Sequence, residues 1–302
     1  MLSDAEAYAL LTSRRAPQGE ADETAAWAIV KALGGHPLAL DVAGAAVNRL
    51  GYARTRADAE DRSGEVLRLA ATLREHLPNG HDRSITATLL HSIRRLDDNG
   101  QRLLQLAAVL AVAPIPLDLV MRVWADEAQA IAAIDAAVSE SLVEQDGDLF
   151  VHALVSRVIS HHAPPPDELR AATVTVLNEV MPAVKDIRTH ASLATWLPHV
   201  QALTETAADE ATLALLLWLC WHDYVRGNYA AAAAFGRRCW DGRCQVLGAE
   251  HPETLTAMNN LAATLGDQGD HAGARALQEQ VVEARRRVLG AEHPDTLTSM
   301  NN

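Results

Sequence analysis

The sequence predicts a mainly α-helical protein whose last third is an open stack of helical hairpins. Three observations carry that reading. Residues 247–260 read LGAEHPETLTAMNN and residues 289–302 read LGAEHPDTLTSMNN, the same phrase 42 residues later with two conservative changes, Glu253/Asp295 and Ala257/Ser299. A fixed period of this length marks stacked supersecondary units rather than one closed globule. Hydrophobic residues make up 49% of the 302-residue chain but aromatics only 4%, so alanine and leucine dominate and favour helix over sheet. Apolar residues also recur at helical spacing almost throughout.

Taken in order, Ser3-Asp4 caps a first helix to Leu11, and a second over residues 20–33 ends at the pair Gly34-Gly35. Pro37 opens a third, over 38–50, closed by Gly51. Residues 54–63 are charged and poor in large apolar side chains and read as a loop. Helices follow over 64–77 and 84–96, and Asp98-Asn99-Gly100 stops the chain before another over 101–112. Short helices over 117–124 and 126–142 precede a hairpin, with strands 142–145 and 148–151 joined by an Asp146-Gly147 turn. Three helices and a small hairpin is the winged-helix order. A helix over 153–161 follows, and Pro164-Pro165-Pro166 is the clearest domain break. Helices over 167–180 and 193–204 connect it to the repeats.

Subtracting 42 from Thr254, Leu255, Leu261 and Gly269 gives Thr212, Leu213, Leu219 and Gly227, so a divergent first repeat begins near Glu210. Pro252 and Pro294 sit in first helical turns, Gly227 and Gly269 turn between helices, and Gly248 and Gly290 end second helices. The expected domains are a helical segment over 1–53, a winged helix over 64–163, connecting helices over 164–209 and repeats over 210–302, divided 210–246, 252–288 and a cut-short 294–302. The chain therefore reads as a piece of a longer repeat protein.

A net charge of −13 argues against non-specific binding to nucleic acid or anionic membrane. No apolar run approaches the ~20 residues of a membrane helix. Cys220, Cys239 and Cys244 lack C-x-x-C spacing, which points to reduced, buried thiols and a cytoplasmic setting. Across 84–162 five arginines face ten carboxylates, too little positive charge for a groove reader, so direct DNA binding is not expected. The histidines form no metal-ligand frame, and no nucleophile elbow is present. Arg285-Arg286-Arg287, near the end of a repeat helix, is read as charge complementing the helix dipole.

With its L-G-x-E-H-P-[DE]-T-L and N-N-L-A segments, the 42-residue unit resembles the tetratricopeptide repeats (TPRs) of kinesin light chains over residues 210–302. The preceding region resembles the C-terminal half of NB-ARC signalling NTPases of the STAND class, of the actinobacterial NB-ARC–TPR type. Gly34-Gly35-His36-Pro37-Leu38-Ala39-Leu40 looks like that family's GLPL motif. Residues 86–96 followed by Ala113-Pro114-Ile115-Pro116-Leu117-Asp118 are similar to its winged-helix segment. Val151-His152-Ala153-Leu154-Val155 sits where it has Met-His-Asp, with Ala153 in place of the aspartate. The resemblance makes residues 1–53 a helical ARC remnant. It implies that Pro37 lies against the adenine and His152 near the β-phosphate of ADP in the full-length protein. Beside these roles stand plainer ones, Pro37 as a helix start and His152 as a cap or core residue.

Neither Lys31 nor Lys185, the two lysines, lies in a G-x-x-x-x-G-K-[ST] loop, so no cofactor is expected in this segment itself. In TPRs the first helix of each unit lines the concave groove. That makes Asn259, Asn260 and Asn302 groove candidates, able to donate to and accept from a peptide backbone, with Trp218 at the corresponding place in the divergent repeat. An asparagine bridging helices within the stack is the plainer reading. The expected function is the non-catalytic, regulatory and protein-interaction portion of an NB-ARC–TPR signal-transduction NTPase. Its repeats would bind a protein or peptide, and its winged helix would relay that event to an upstream ADP/ATP-binding domain. The alternatives are part of an NB-ARC–TPR transcription regulator, or a plain TPR scaffold.

Overall fold

The computed structural model describes residues 1–78, 80–124 and 126–301. The fold is mainly α, with one two-stranded sheet among the described residues, and it divides into two compact units, Met1–Arg170 and Ala171–Asn302. No described helix is long and apolar enough to cross a membrane.

In the first unit, α1 (Asp4–Thr12) starts with a capping box in which Glu6 accepts from the Ser3 N–H at 2.9 Å. α2 (Glu20–Leu33) ends where Gly34 and Gly35 both take positive φ, +57° and +71°. A Cβ on Gly35 would lie 2.4 Å from the Leu2 carbonyl oxygen, so the N-terminal strand of chain can pass there only over glycine. α3 (Pro37–Leu50) follows at once, with Pro37 in its first turn.

Residues 54–63, expected as a loop, are largely helical: α4 spans Tyr52–Ala59. Its buried face is Tyr52, Thr55, Asp58 and Ala59, a helical spacing of which two members, Thr55 and Asp58, are polar. Asp58 is buried because Arg54 and Arg95 pair with it at 3.1 and 3.3 Å. Hydrophobic periodicity cannot register such a face.

α5 (Gly64–Leu73) passes into a 3-10 turn, Arg74–His76, rather than running on to Leu77. α6 (Asp82–Arg95) and α7 (Asp98–Val109) come next. α7 starts at Asp98 because Asp97 caps it, accepting from the Gly100 N–H at 2.8 Å, so the expected stop is in fact the first turn. α8 (Leu117–Val123) and α9 (Glu127–Ser139) lead to β1 (Glu144–Asp146) and β2 (Asp148–Phe150). Gln145 pairs with Leu149 and Asp146 with Asp148, so the turn centres on Gly147 (φ +75°), one residue off the expected register. Ile115 joins this hairpin by a reciprocal backbone pair with Leu149, at 2.7 and 2.9 Å. α10 (Ala153–His162) packs on α7 and α6. Leu33, Leu40, Ile85, Leu89 and Leu104 are among the side chains fully enclosed in this unit.

α11 (Asp167–Val180) follows the triproline, and the boundary between the units falls inside it. In the second unit the connecting segment is more broken than expected. Two 3-10 turns, Met181–Lys185 and Ile187–Thr189, precede α12 (His190–Leu193), and Pro198 lies in the first turn of α13 (Leu197–Thr204). The stack then comprises α14 (Glu210–Val225), α15 (Tyr229–Val246), α16 (Pro252–Gln268), α17 (His271–Leu289) and α18 (Pro294–Asn301). Glu210, Pro252 and Pro294 start first helices and Tyr229 and His271 start second ones, each 42 residues apart. Consecutive helices pack on one another, and Gly227 and Gly269 turn the hairpins at φ +74° and +96°.

Candidate functional site

The first helices of neighbouring hairpins, α14 and α16, border a narrow slot of about 60 Å3 lined by Cys220, Trp221, Tyr224, Asn260, Ala263 and Thr264. Shifting by one period turns Trp218 into Asn260, Trp221 into Ala263 and Tyr224 into Gly266. The face is therefore aromatic on α14 and small or polar on α16. Trp221 and Tyr224 meet edge to face at 5.6 Å. The Tyr224 hydroxyl donates to Asp267 at 2.6 Å, and that carboxylate, with burial, pushes the phenol up to about 12.

Asn260 is half-buried, and its carbonyl accepts from the Thr264 hydroxyl at 2.9 Å. Asn259 is half-buried with an interaction of its own, and Asn302 lies outside the described residues. Trp218 is engaged inside the unit. Its indole N–H donates to Asn178 at 3.2 Å, and the Lys185 ammonium stands 5.3 Å from its ring and 5.5 Å from that of Trp221. The connecting segment thus supplies a cation to the aromatic face of α14. Sequence reasoning passed over Trp221, Tyr224 and Lys185. The 42-residue shift exposes the two aromatics, but nothing local announces the lysine.

Two arginines one period apart, Arg243 and Arg285, are buried, and each ties its second helix to the next first helix. Arg243 donates to the Glu253 carbonyl at 2.9 Å and pairs with the Glu253 carboxylate at 3.2 Å. Arg285 donates to the Ser299 hydroxyl at 2.5 Å, and Arg287 reaches Glu250 at 2.5 Å. Arg286 and Arg287 stand in the last turn of α17, where positive charge complements the helix dipole, and Arg285 and Arg287 have specific partners besides. The thiols of Cys220 and Cys239 are buried, and burial raises the first to about 11.

In the first unit Pro37 is exposed in the first turn of α3, beside His36, whose Nδ1 accepts from the Ala39 N–H at 3.4 Å. His152 caps α10 in the same manner, its Nδ1 accepting from the Leu154 N–H at 3.1 Å. Burial lowers the pKa of both imidazoles. The two rings lie close enough for the charge of His152 to lower His36 further, while Glu144 works the other way on His152. Each neutral ring with an accepting Nδ1 keeps its proton on Nε2. His36 and Pro37 at the start of α3, and His152 at the start of α10, come from distant parts of the same unit. On α8, Arg122 is paired with Asp118 at 2.8 Å.

No curated protein matches this sequence. Residues 223–253 and 254–295 each match the family model described as tetratricopeptide repeat, the first match beginning at Asp223 and leaving out most of α14. Residues 223–295, which hold α15, α16 and α17, are tetratricopeptide repeats of a helical solenoid, repeats that generally mediate protein–protein interaction.

Proposed function

We propose that this chain is the non-catalytic, regulatory and protein-interaction portion of an NB-ARC–TPR signal-transduction NTPase. The observation that carries the reading is the 42-residue alignment of α14, α16 and α18, which sets Trp221, Tyr224 and Asn260 along one face beside a slot between first helices. An extended peptide laid across it would find aromatic surface on α14 and, at Asn260, an amide that both donates and accepts. Cytoplasmic location accords with the free thiols, of which Cys220 and Cys239 are buried and Cys244 half-buried.

The relay is proposed for the first unit. α7, α8 and α9 with the β1–β2 hairpin, which Ile115 joins through a single backbone bridge, support a winged helix. His36 and Pro37 at the start of α3 and His152 at the start of α10 would form the surface that meets ADP or ATP held by an upstream nucleotide-binding domain. Partner and nucleotide would each favour one arrangement of a two-state clamp. The pairing of Arg122 with Asp118 and the acidic surroundings weigh against α8 reading DNA.

The test is selection of peptides from a displayed random library on the 302-residue chain, followed by affinity measurement on Asn260→Ala. Enrichment of a shared sequence pattern, with binding weakened at least about fivefold by the substitution, supports the groove. No enrichment, or binding indifferent to Asn260, sinks it.

A further inference from the structure

We propose that the turn leading into α6 is a binding site for a compact polyanion, a small molecule bearing a diphosphate group. A cavity of about 480 Å3 lies between the end of α5 and the start of α6, and Arg62, Arg74 and Arg83 line it with a single carboxylate, Asp82. Three arginines and one carboxylate line this space in a chain of net charge −13, so it is a local excess of positive charge that suits an anion.

Arg62 is held in place. It donates to the carbonyls of Ala59 and Asp61 at 3.3 and 2.9 Å and to the Ser84 hydroxyl at 3.3 Å. Arg74 and Arg83 are exposed, and among the described residues neither guanidinium enters an ion pair, so their donors are open to a ligand. The helix start adds to this charge. α6 is 14 residues long, and its N-cap, His81, makes no side-chain cap. Its first N–H groups and the positive end of its dipole therefore lie where Asp82 and Arg83 border the cavity. The His81 ring is committed elsewhere: its Nδ1 bonds the Ala32 carbonyl at 3.0 Å, pinning this turn to the end of α2.

Three cations rather than one select a multiply charged group, since bidentate guanidinium contacts suit phosphate oxygens. The volume leaves room for an organic body against Leu77 and Pro78. A long polyanion such as DNA or RNA would meet the chain's overall negative field, which a small ligand largely escapes behind a screening length of about 10 Å.

Titration calorimetry of the 302-residue chain with inorganic pyrophosphate at an ionic strength of about 0.1 M, where the screening length is about 10 Å, tests the site. Saturable one-site binding is expected, weakened roughly tenfold or more in Arg74→Ala/Arg83→Ala and unchanged in Arg237→Ala, another exposed arginine. Both substituted side chains are exposed, and circular dichroism checks that the double variant is folded; Arg74→Gln alone, expected to weaken binding severalfold, serves if it is not. Absence of saturable binding, full retention by a folded Arg74/Arg83 variant, or an equal loss in Arg237→Ala overturns the proposal.

Discussion

The guanidinium of Arg95, at the end of α6, grips the carboxylate of Glu140 just past the end of α9, with Nε–Oε1 at 3.3 Å and Nη2–Oε2 at 3.1 Å. Glu140 is only 1% exposed, Arg49 of α3 supplies a second cation to it, and Arg95 also reaches Asp58 of α4. Four elements of the first unit thus share one buried ionic knot. Removing one partner of such a pair leaves a charge stranded away from water. Arg95→Ala should lower the unfolding free energy by about 3 kcal/mol in urea titration. Arg49→Ala, whose side chain is 43% exposed, should lose under about 1 kcal/mol. Equal losses would show that burial does not rank the two.

Histidine titration should weaken the first unit in mild acid. His36 and His152 both have pKa values lowered from 6.5 by burial. The unfolded chain therefore takes up protons that the folded chain refuses, and stability falls as pH drops below 6.5 toward the folded values. Above pH 6.5 both forms are neutral and the effect vanishes. His152→Asn keeps a side-chain acceptor for the Leu154 N–H, and asparagine is a favoured cap, so the variant should fold. Its melting temperature between pH 7.5 and 5 should fall less steeply than that of the parent. An unchanged slope would remove His152 from the account.

Glycine positions should separate backbone cost from collision. Gly269 has φ +96° with nothing near an added Cβ, so Gly269→Ala should cost about 1 kcal/mol, for conformation alone. Gly35→Ala meets both a positive φ and the Leu2 carbonyl at 2.4 Å, and should lose at least about 2 kcal/mol. Thermal unfolding of the two variants, followed by circular dichroism, ranks them.

Arg243→Ala should destabilise the repeats by about 2–3 kcal/mol, because it removes a buried guanidinium that donates a charge-assisted hydrogen bond to the Glu253 carbonyl. Hydrogen exchange should speed up at the start of α16 before it does elsewhere. Arg287→Ala, more than half exposed although paired with Glu250, should change the same readout by less than about 0.5 kcal/mol.

Much of the architecture was legible in the residue order because its signals are local. A 42-residue phrase, prolines at helix starts and glycines at helix ends depend only on near neighbours, and they set where α14 to α18 begin and turn. What lay beyond reach was every feature whose partner is distant in sequence. α4 can bury Asp58 because Arg95, 37 residues on, reaches it. Trp218 serves its own unit because Asn178 and Lys185 come to it. Arg285 holds the next helix because Ser299 is there to accept. His36 and His152 become neighbours only once the unit has closed. Apolar burial follows a period that can be counted along the chain. A buried polar group is tolerated only if its partner arrives, and that arrival was decided by tertiary packing.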